Sequence, residues 1–151
     1  MRDKLSIPRV QLLHPAIRQD VRSFINEAEE ALDVTLRITQ GLRTIDEQNA
    51  LFAKGRTTPG PRVTNARGGS SYHNYGLAID LVEIKDNKAN WDFEYEKLLP
   101  FAKKYGFKWG GHFKSIVDKP HFEKTFGHGW RALLLKHTKS ELIPGTRYVI
   151  L

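Results

Sequence analysis

The sequence predicts an α+β fold in a single domain. Segments with helical periodicity and segments with strand alternation are mixed along the chain, without the regular strand-helix succession of a parallel sheet. At 151 residues, with 40% apolar and 11% aromatic side chains, the chain can build one core that folds alone. No internal repeat or low-complexity segment divides it.

From Pro15 to about Leu32, Ile17, Val21, Phe24, Ile25, Ala28 and Leu32 fall at steps of three and four. They mark an amphipathic helix with Pro15 in its first turn. Val34, Leu36 and Ile38 then alternate with Thr35, Arg37 and Thr39, the period of a half-buried strand. Thr44 followed by Glu47 is a capping box that opens a second helix, running to about Lys54 before Gly55. Residues 55–70 are rich in Gly, Pro and Arg and read as a long surface loop, a kind that is usually functional or mobile. Leu77–Ile84 reads as a strand. Asn90 is a candidate cap for a helix carrying Phe93, Leu98, Phe101, Ala102 and Tyr105, broken or restarted at Pro100 and ended by Gly106. Phe107–Trp109 and Pro120–Thr125 read as short strands joined across Gly110-Gly111, Trp130–Lys136 as one or two helical turns, and Tyr148–Leu151 as a closing strand. Trp109, Phe107, Phe122 and Phe126 are assigned to the core, and His14, His128 and His137 to exposed or capping positions.

Zero cysteines exclude disulfides, thiolate metal sites and cysteine nucleophiles, so any metal must be held by His, Asp or Glu. The net charge of +7 favours a polyanionic partner. The basic residues are scattered and no nucleic-acid-binding signature accompanies them, so nucleic acid is not the expected partner. Residues 1–8 contain no apolar stretch of signal-peptide length, and nothing approaches the ~20 apolar residues of a membrane span. A soluble chain without stable membrane insertion is expected.

Two segments carry the chemistry: Ser71-Tyr72-His73-Asn74-Tyr75-Gly76-Leu77-Ala78-Ile79-Asp80 and Asp118-Lys119-Pro120-His121-Phe122-Glu123. Asp80 lies within an alternating strand, on one face with Ala78 and Val82, where an unpaired carboxylate costs several kcal/mol or more. A metal, an arginine or a set of backbone amides must compensate it. Gly76 lets the chain turn so that His73 and Asp80 can meet, and Ser71 is placed to orient a ligand. Asp118 stands one short turn before His121. Two imidazoles, a carboxylate and a second acid are the parts of a catalytic zinc site, which needs three nitrogen or oxygen ligands, an open position for water and a base. Cobalt or nickel suits the same donors, and non-haem iron uses the same ligand types.

These motifs resemble the zinc peptidases of bacterial cell walls, which include D-Ala-D-Ala carboxypeptidases and dipeptidases and phage L-alanyl-D-glutamate endopeptidases. The family signature S-x-H-x-x-G-x-A-x-D, followed by acid-x-x-His, is filled by Ser71, His73, Gly76, Ala78, Asp80, Asp118 and His121. The resemblance extends to Gly41-Leu42-Arg43-Thr44 with Gln48, to residues 106–111 and to Pro120-His121-Phe122-Glu123, and so covers most of residues 10–127. It implies a small antiparallel sheet with helices packed on it, as in hedgehog and D-Ala-D-Ala peptidase-like folds. It also implies one catalytic domain over residues 1–151, with a core of about 10–127 and a terminal helix and strand packed on it.

By this resemblance His73, Asp80 and His121 hold Zn2+, Asp118 is the general base and later acid, Arg43 steadies the oxyanion and Gln48 joins Arg43 in the substrate site. Ser71 and Glu123 are candidate supports of the ligands. Asp118, in place of the glutamate of carboxypeptidases, favours the L-alanyl-D-glutamate endopeptidase over a D-Ala-D-Ala or LD carboxypeptidase. His112-Phe113 departs from the pattern, and His112 has no assigned role. The implied partner is bacterial peptidoglycan, bound by a monomer. The lack of an export signal suits a phage or prophage lysin that stays cytoplasmic until released to the periplasm or wall, or secretion by another route. Arg56, Arg62 and Arg67 beside the site are candidates for guiding an anionic substrate.

Two other classes fit the same residues less well. A binding module that keeps fold and zinc but does not cleave is opposed by the intact Asp118 and Arg43. An iron oxygenase normally sets His-x-Asp close together, unlike the interval from His73 to Asp80.

Overall fold

A computed structural model describes residues 1–151. The elements in chain order are α1 (Ser6–Gln11), α2 (Pro15–Leu32), β1 (Leu36–Gln40), α3 (Ile45–Ala53), a 3-10 turn at Tyr72–Tyr75, β2 (Ala78–Lys85), β3 (Lys88–Asn90), α4 (Leu99–Lys104, preceded by a 3-10 turn at Tyr95–Leu98), β4 (Lys108–Trp109), β5 (His121–Glu123) and α5 (Trp130–Thr138). The strands form one antiparallel sheet in the order β1-β2-β5-β4, and β3 folds back on the end of β2.

Helix α2 spans the residues its periodicity marks, and Ile17, Val21, Phe24, Ile25 and Ala28 are fully buried on one face. Phe24 packs its ring against Phe107 and Phe122, which ties the helix to β5 and to the residue that leads into β4. Burial of one such aromatic contributes roughly 1.5–3 kcal/mol. A single apolar cluster runs from Val10 to Val149 and includes Leu36, Ile38, Ile79 and Leu81 from the sheet. The capping box at α3 is present in both halves: the Thr44 hydroxyl accepts from the Glu47 amide at 3.1 Å, and Glu47 accepts from the Thr44 amide at 2.7 Å.

Several expectations need correction. His14 takes the capping alternative, and does so buried rather than exposed. Its Nδ1 accepts from the Ala16 amide at 3.1 Å to cap α2, and its Nε2 lies 2.8 Å from the Val149 carbonyl, so it fastens the C-terminal segment to the core. Asn90 ends β3 rather than capping a helix, because the Asp86-Asn87 pair, both at positive φ, makes a hairpin turn that folds β3 back on β2. The closing strand is one isolated bridge between Leu142 and Val149. Phe126 is 47% exposed at positive φ, just beyond the sheet, and does not enter the core. Helix α1 was not anticipated, because six residues containing Pro8 and lacking a side-chain cap carry too little periodic signal.

Gly76 is the joint between the two halves of the first motif. Its φ is +67°, and a Cβ there would lie 2.6 Å from the His14 nitrogen, which itself donates to the Gly76 carbonyl at 3.0 Å. Gly76→Ala is therefore expected to lower the unfolding free energy by about 2–4 kcal/mol, read as a shifted denaturant midpoint with unchanged slope. A midpoint equal to the parent's would show that this turn relaxes freely.

Candidate metal centre and active site

The sheet register builds half of the site. Asp80 on β2 lies directly opposite His121 on β5, so their side chains share a face as cross-strand neighbours. Ile79 and Leu81 point into the core, which commits Asp80 to the other face. Beside Asp80 the pairing of β1 with β2 shifts between Ile38 and Gln40, a local irregularity of a kind that often re-aims side chains next to active sites.

His73 arrives from the 3-10 turn. The Ser71 hydroxyl accepts from the His73 amide at 3.3 Å, Asn74 donates to the Arg43 carbonyl at 3.0 Å, and the Arg43 amide donates to the His73 carbonyl at 3.0 Å. The turn is thereby stapled to the β1-α3 connection. Ser71 holds the backbone of His73 and not its ring. The ring is set by Gly41, whose carbonyl accepts a hydrogen bond from Nδ1–H at 2.8 Å, leaving Nε2 free. On His121 the arrangement is reversed. Nε2 donates to Glu123 at 2.9 Å, which leaves Nδ1 free.

The two free nitrogens converge on one carboxylate oxygen: Asp80 Oδ1 is 3.3 Å from His73 Nε2 and 3.1 Å from His121 Nδ1. All three donor atoms lie within 4.8 Å of one another. Donors about 2.0–2.1 Å from a tetrahedral zinc would stand roughly 3.3 Å apart, so the set fits that ion with little adjustment. Electrostatics agree. Burial opposes charge on Asp80, yet hydrogen bonds from His121 and His73 hold its carboxyl well below the usual carboxylate range. Burial likewise opposes charge on His121, but Asp80 and Glu123 outweigh it and carry its pKa up to about 9. The pocket favours a cation at the His121 Nδ1 position, and a proton and a metal compete for that atom.

Glu123 is buried, at 8% exposure, and its carboxylate serves His121. It sits two residues along the same strand face, the spacing that makes the contact possible.

Asp118 lies in the turn between β4 and β5. Its amide donates to the Gly110 carbonyl at 2.9 Å, and its carbonyl accepts from the His121 amide at 3.2 Å. A Cβ at Gly110 would come 2.3 Å from the Asp118 carbonyl oxygen, so only glycine admits this turn. The Asp118 carboxylate makes no hydrogen bond or ion pair with another residue. Partial burial in the cleft, followed by the negative charge of Asp80, raises it above the ordinary carboxylate range, against the opposing pull of His121, His73 and Arg43.

Arg43 completes the cleft, a cavity of about 550 Å³ that it lines together with His73, Asp80, Asp118 and His121. Its Nη1 donates to Gln48 at 3.0 Å, while its Nε is buried without a partner. An unpartnered buried donor beside three converging ligand atoms is a place for a substrate oxygen. Gln48 is fully buried with both ends of its amide engaged, accepting from Arg43 and donating to the Ala66 carbonyl at 2.8 Å. It holds Arg43 and the Ala66 segment of the loop in place.

Of the three loop arginines, Arg56 binds the Phe52 and Thr64 carbonyls and stacks 3.9 Å over the Phe52 ring, and so shapes the loop. Arg62 and Arg67 stay exposed. Sequence reasoning missed the Gly41 carbonyl and Asn74. A backbone acceptor leaves no trace in residue identity, and Asn74 occupies an unrestricted position of the motif.

Residues 64–124 match the D-alanyl-D-alanine carboxypeptidase family, peptidase M15. Over 123 residues the chain is 42% identical to the peptidoglycan L-alanyl-D-glutamate endopeptidase CwlK of Bacillus subtilis, covering 74% of this chain and 72% of that one. It is 36% identical over 64 residues to the L-alanyl-D-glutamate peptidase of Listeria phage A118, covering 39% of this chain and 23% of that one. Among solved structures, the L-Ala D-Glu endopeptidase ChiX of Serratia marcescens superposes with a TM-score of 0.60 at 22% identity, over 80% of this chain and 86% of that one. The vancomycin-resistance D,D-pentapeptidase VanY, solved with Zn(II), gives 0.54 at 17% identity over 84% and 76%. The fold is thus the one these peptidases share, and the chain belongs to the M15 family of metallopeptidases.

Proposed function

We propose that the protein is a zinc-dependent peptidoglycan peptidase that hydrolyses the L-alanyl-D-glutamate bond of the stem peptide. The observation that carries this reading is the convergence of His73 Nε2, Asp80 Oδ1 and His121 Nδ1 in one cleft with Asp118 and Arg43, in a chain so similar to CwlK.

In this reading His73, Asp80 and His121 hold the ion. Bound there, zinc supplies a Lewis acid and a water acidified toward neutrality. Asp118, with a carboxylate engaged by no other side chain, takes the proton of the attacking water and returns it to the nitrogen of the departing amine. Arg43 donates to the oxygen of the attacked carbonyl as charge gathers on it, using the Nε that has no partner within the protein. Gln48 fixes the guanidinium, Gly41 and Glu123 fix the two imidazoles, and Ser71 fixes the turn that carries His73.

One chain supplies every group, which supports action as a monomer, and one apolar cluster from Val10 to Val149 supports residues 1–151 as a single catalytic unit. The net charge of +7 favours an anionic wall, and similarity to a phage enzyme supports a lysin-like role. No helix is long and apolar enough to cross a membrane.

The test is incubation of the zinc-loaded protein with purified peptidoglycan and identification of the new termini by mass spectrometry. Free L-Ala carboxyl and D-Glu amino ends are expected. Release of D-Ala would make the protein a carboxypeptidase, and intact wall despite bound zinc would make it a binding module.

A further inference from the structure

The sheet ends at β4, and between this edge strand and α4 runs a groove of about 620 Å³. Its surface is mostly apolar, with Leu99 of α4 on one side and Trp109 and Phe113 on the other. His112 lines the groove and stands edge-on to Trp109, with ring centres 4.9 Å apart. Phe113 belongs to both cavities: it lines the groove and the cleft, with its ring centre 5.7 Å from that of His121. The cleft and the groove therefore adjoin at Phe113.

The lysines along α4 and the β4–β5 segment fall into two groups, paired and unpaired, as do the basic residues on the rest of the surface. Lys97, Lys104, Lys119 and Lys124 each hold a carboxylate of the protein. Lys103 on α4 and Lys108 on β4 line the groove from opposite elements, are exposed, and have no acidic partner. Two unpaired cations flanking an apolar channel suit a ligand with an aliphatic backbone and carboxylates at its sides. A neutral sugar chain would leave both charges unused.

The stem peptide has that chemistry on the amine side of the scissile bond. D-glutamate carries one carboxylate free while the chain continues through the other, so an anionic group follows directly after the cut. We propose that the groove between α4 and β4 receives the carboxylate-bearing part of the stem peptide beyond the scissile bond, with Lys103 and Lys108 as its cationic contacts. This rests on the L-alanyl-D-glutamate reading above and adds where the leaving part of the substrate lies.

The experiment uses the zinc-loaded full chain and two soluble muramyl stem peptides, one with the D-glutamate carboxylate free and one with it amidated. Wild type is expected to show a KM about tenfold lower for the free acid, in keeping with two partly exposed ion pairs. In Lys103→Gln/Lys108→Gln the KM for the acid should rise to that of the amide, with kcat within about twofold, and the wild-type preference should shrink as salt is raised. An unchanged KM for the acid, or an equal rise for both peptides, would overturn the proposal; the second result would place the glycan or another neutral group in the groove. Failure of wild type to cut either peptide between L-Ala and D-Glu would bring down the functional reading itself, a result distinct from intact cleavage with indifferent lysines.

Discussion

Asp118→Asn is expected to hydrolyse peptidoglycan about 10²–10⁴-fold more slowly than the parent while binding the same amount of zinc. The split follows from the geometry. The three donor atoms are contributed by His73, Asp80 and His121, and Asp118 holds none of them by a hydrogen bond; it is tied to the site through its backbone, by the bonds to Gly110 and His121. Asparagine preserves the size of the side chain and leaves that backbone undisturbed, so the turn and His121 stay in place. What is lost is a group able to accept a proton. The pH profile gives an independent check. A general base acts when ionised, so activity should fall as pH drops through the Asp118 pKa, which lies above the ordinary carboxylate range because of the cleft and Asp80. That acid limb should be missing from the residual activity of Asp118→Asn. Zinc lost from the variant would instead make Asp118 a ligand, and near-parent activity would hand the base role to another group.

How far the molecule can be read from its sequence differs between layers. Helix α2 was legible to the residue because five buried side chains repeat on one face and Pro15 marks the start. The same reasoning placed β2 within one residue and found the capping box of α3. It failed wherever structure depends on a partner far along the chain. Tyr148–Leu151 has strand composition, but a strand exists only if a neighbour pairs along its length, and here Leu142 offers one bridge. Phe126 has core composition, but it follows the last residue paired in β5 and turns outward. His14 caps α2, one of its two expected positions, but its burial was not legible because its second contact, the Val149 carbonyl, lies across nearly the whole chain.

At the site, Asp80 in an alternating strand requires compensation by a metal, an arginine or backbone amides, and it is the resemblance that singles out His73, Asp80 and His121 as ligands. The register that sets Asp80 against His121 is a property of the sheet and could not be read from spacing. Nor could the choice of ring nitrogen, which depends on Gly41 for one histidine and Glu123 for the other. Gln48 shows the opposite limit. Resemblance offered it as a substrate contact, and burial with both amide ends engaged makes it the brace of Arg43.

His73→Ala should abolish both zinc binding and hydrolysis, and comparison with Glu123→Gln separates a ligand from its support. Removing the imidazole takes one of three donors and leaves the buried Gly41 carbonyl without its hydrogen bond, a loss of about 1–3 kcal/mol that a thermal melt should detect without unfolding at 25 °C. Glu123→Gln is milder by construction. The amide oxygen can still accept from His121 Nε2, so ring orientation survives, but the negative charge that raises the basicity of that imidazole is gone. Zinc affinity should then fall by about 10–100-fold, with hydrolysis restored when zinc is raised to saturation. Rescue should fail for His73→Ala at any zinc concentration that leaves the protein soluble. If instead Glu123→Gln loses zinc as completely as His73→Ala, the carboxylate of Glu123 is itself a ligand and the reach of His121 toward it marks a different centre; if His73→Ala retains stoichiometric zinc, the ion sits elsewhere in the cleft and the convergence on Asp80 Oδ1 is a salt-bridged core.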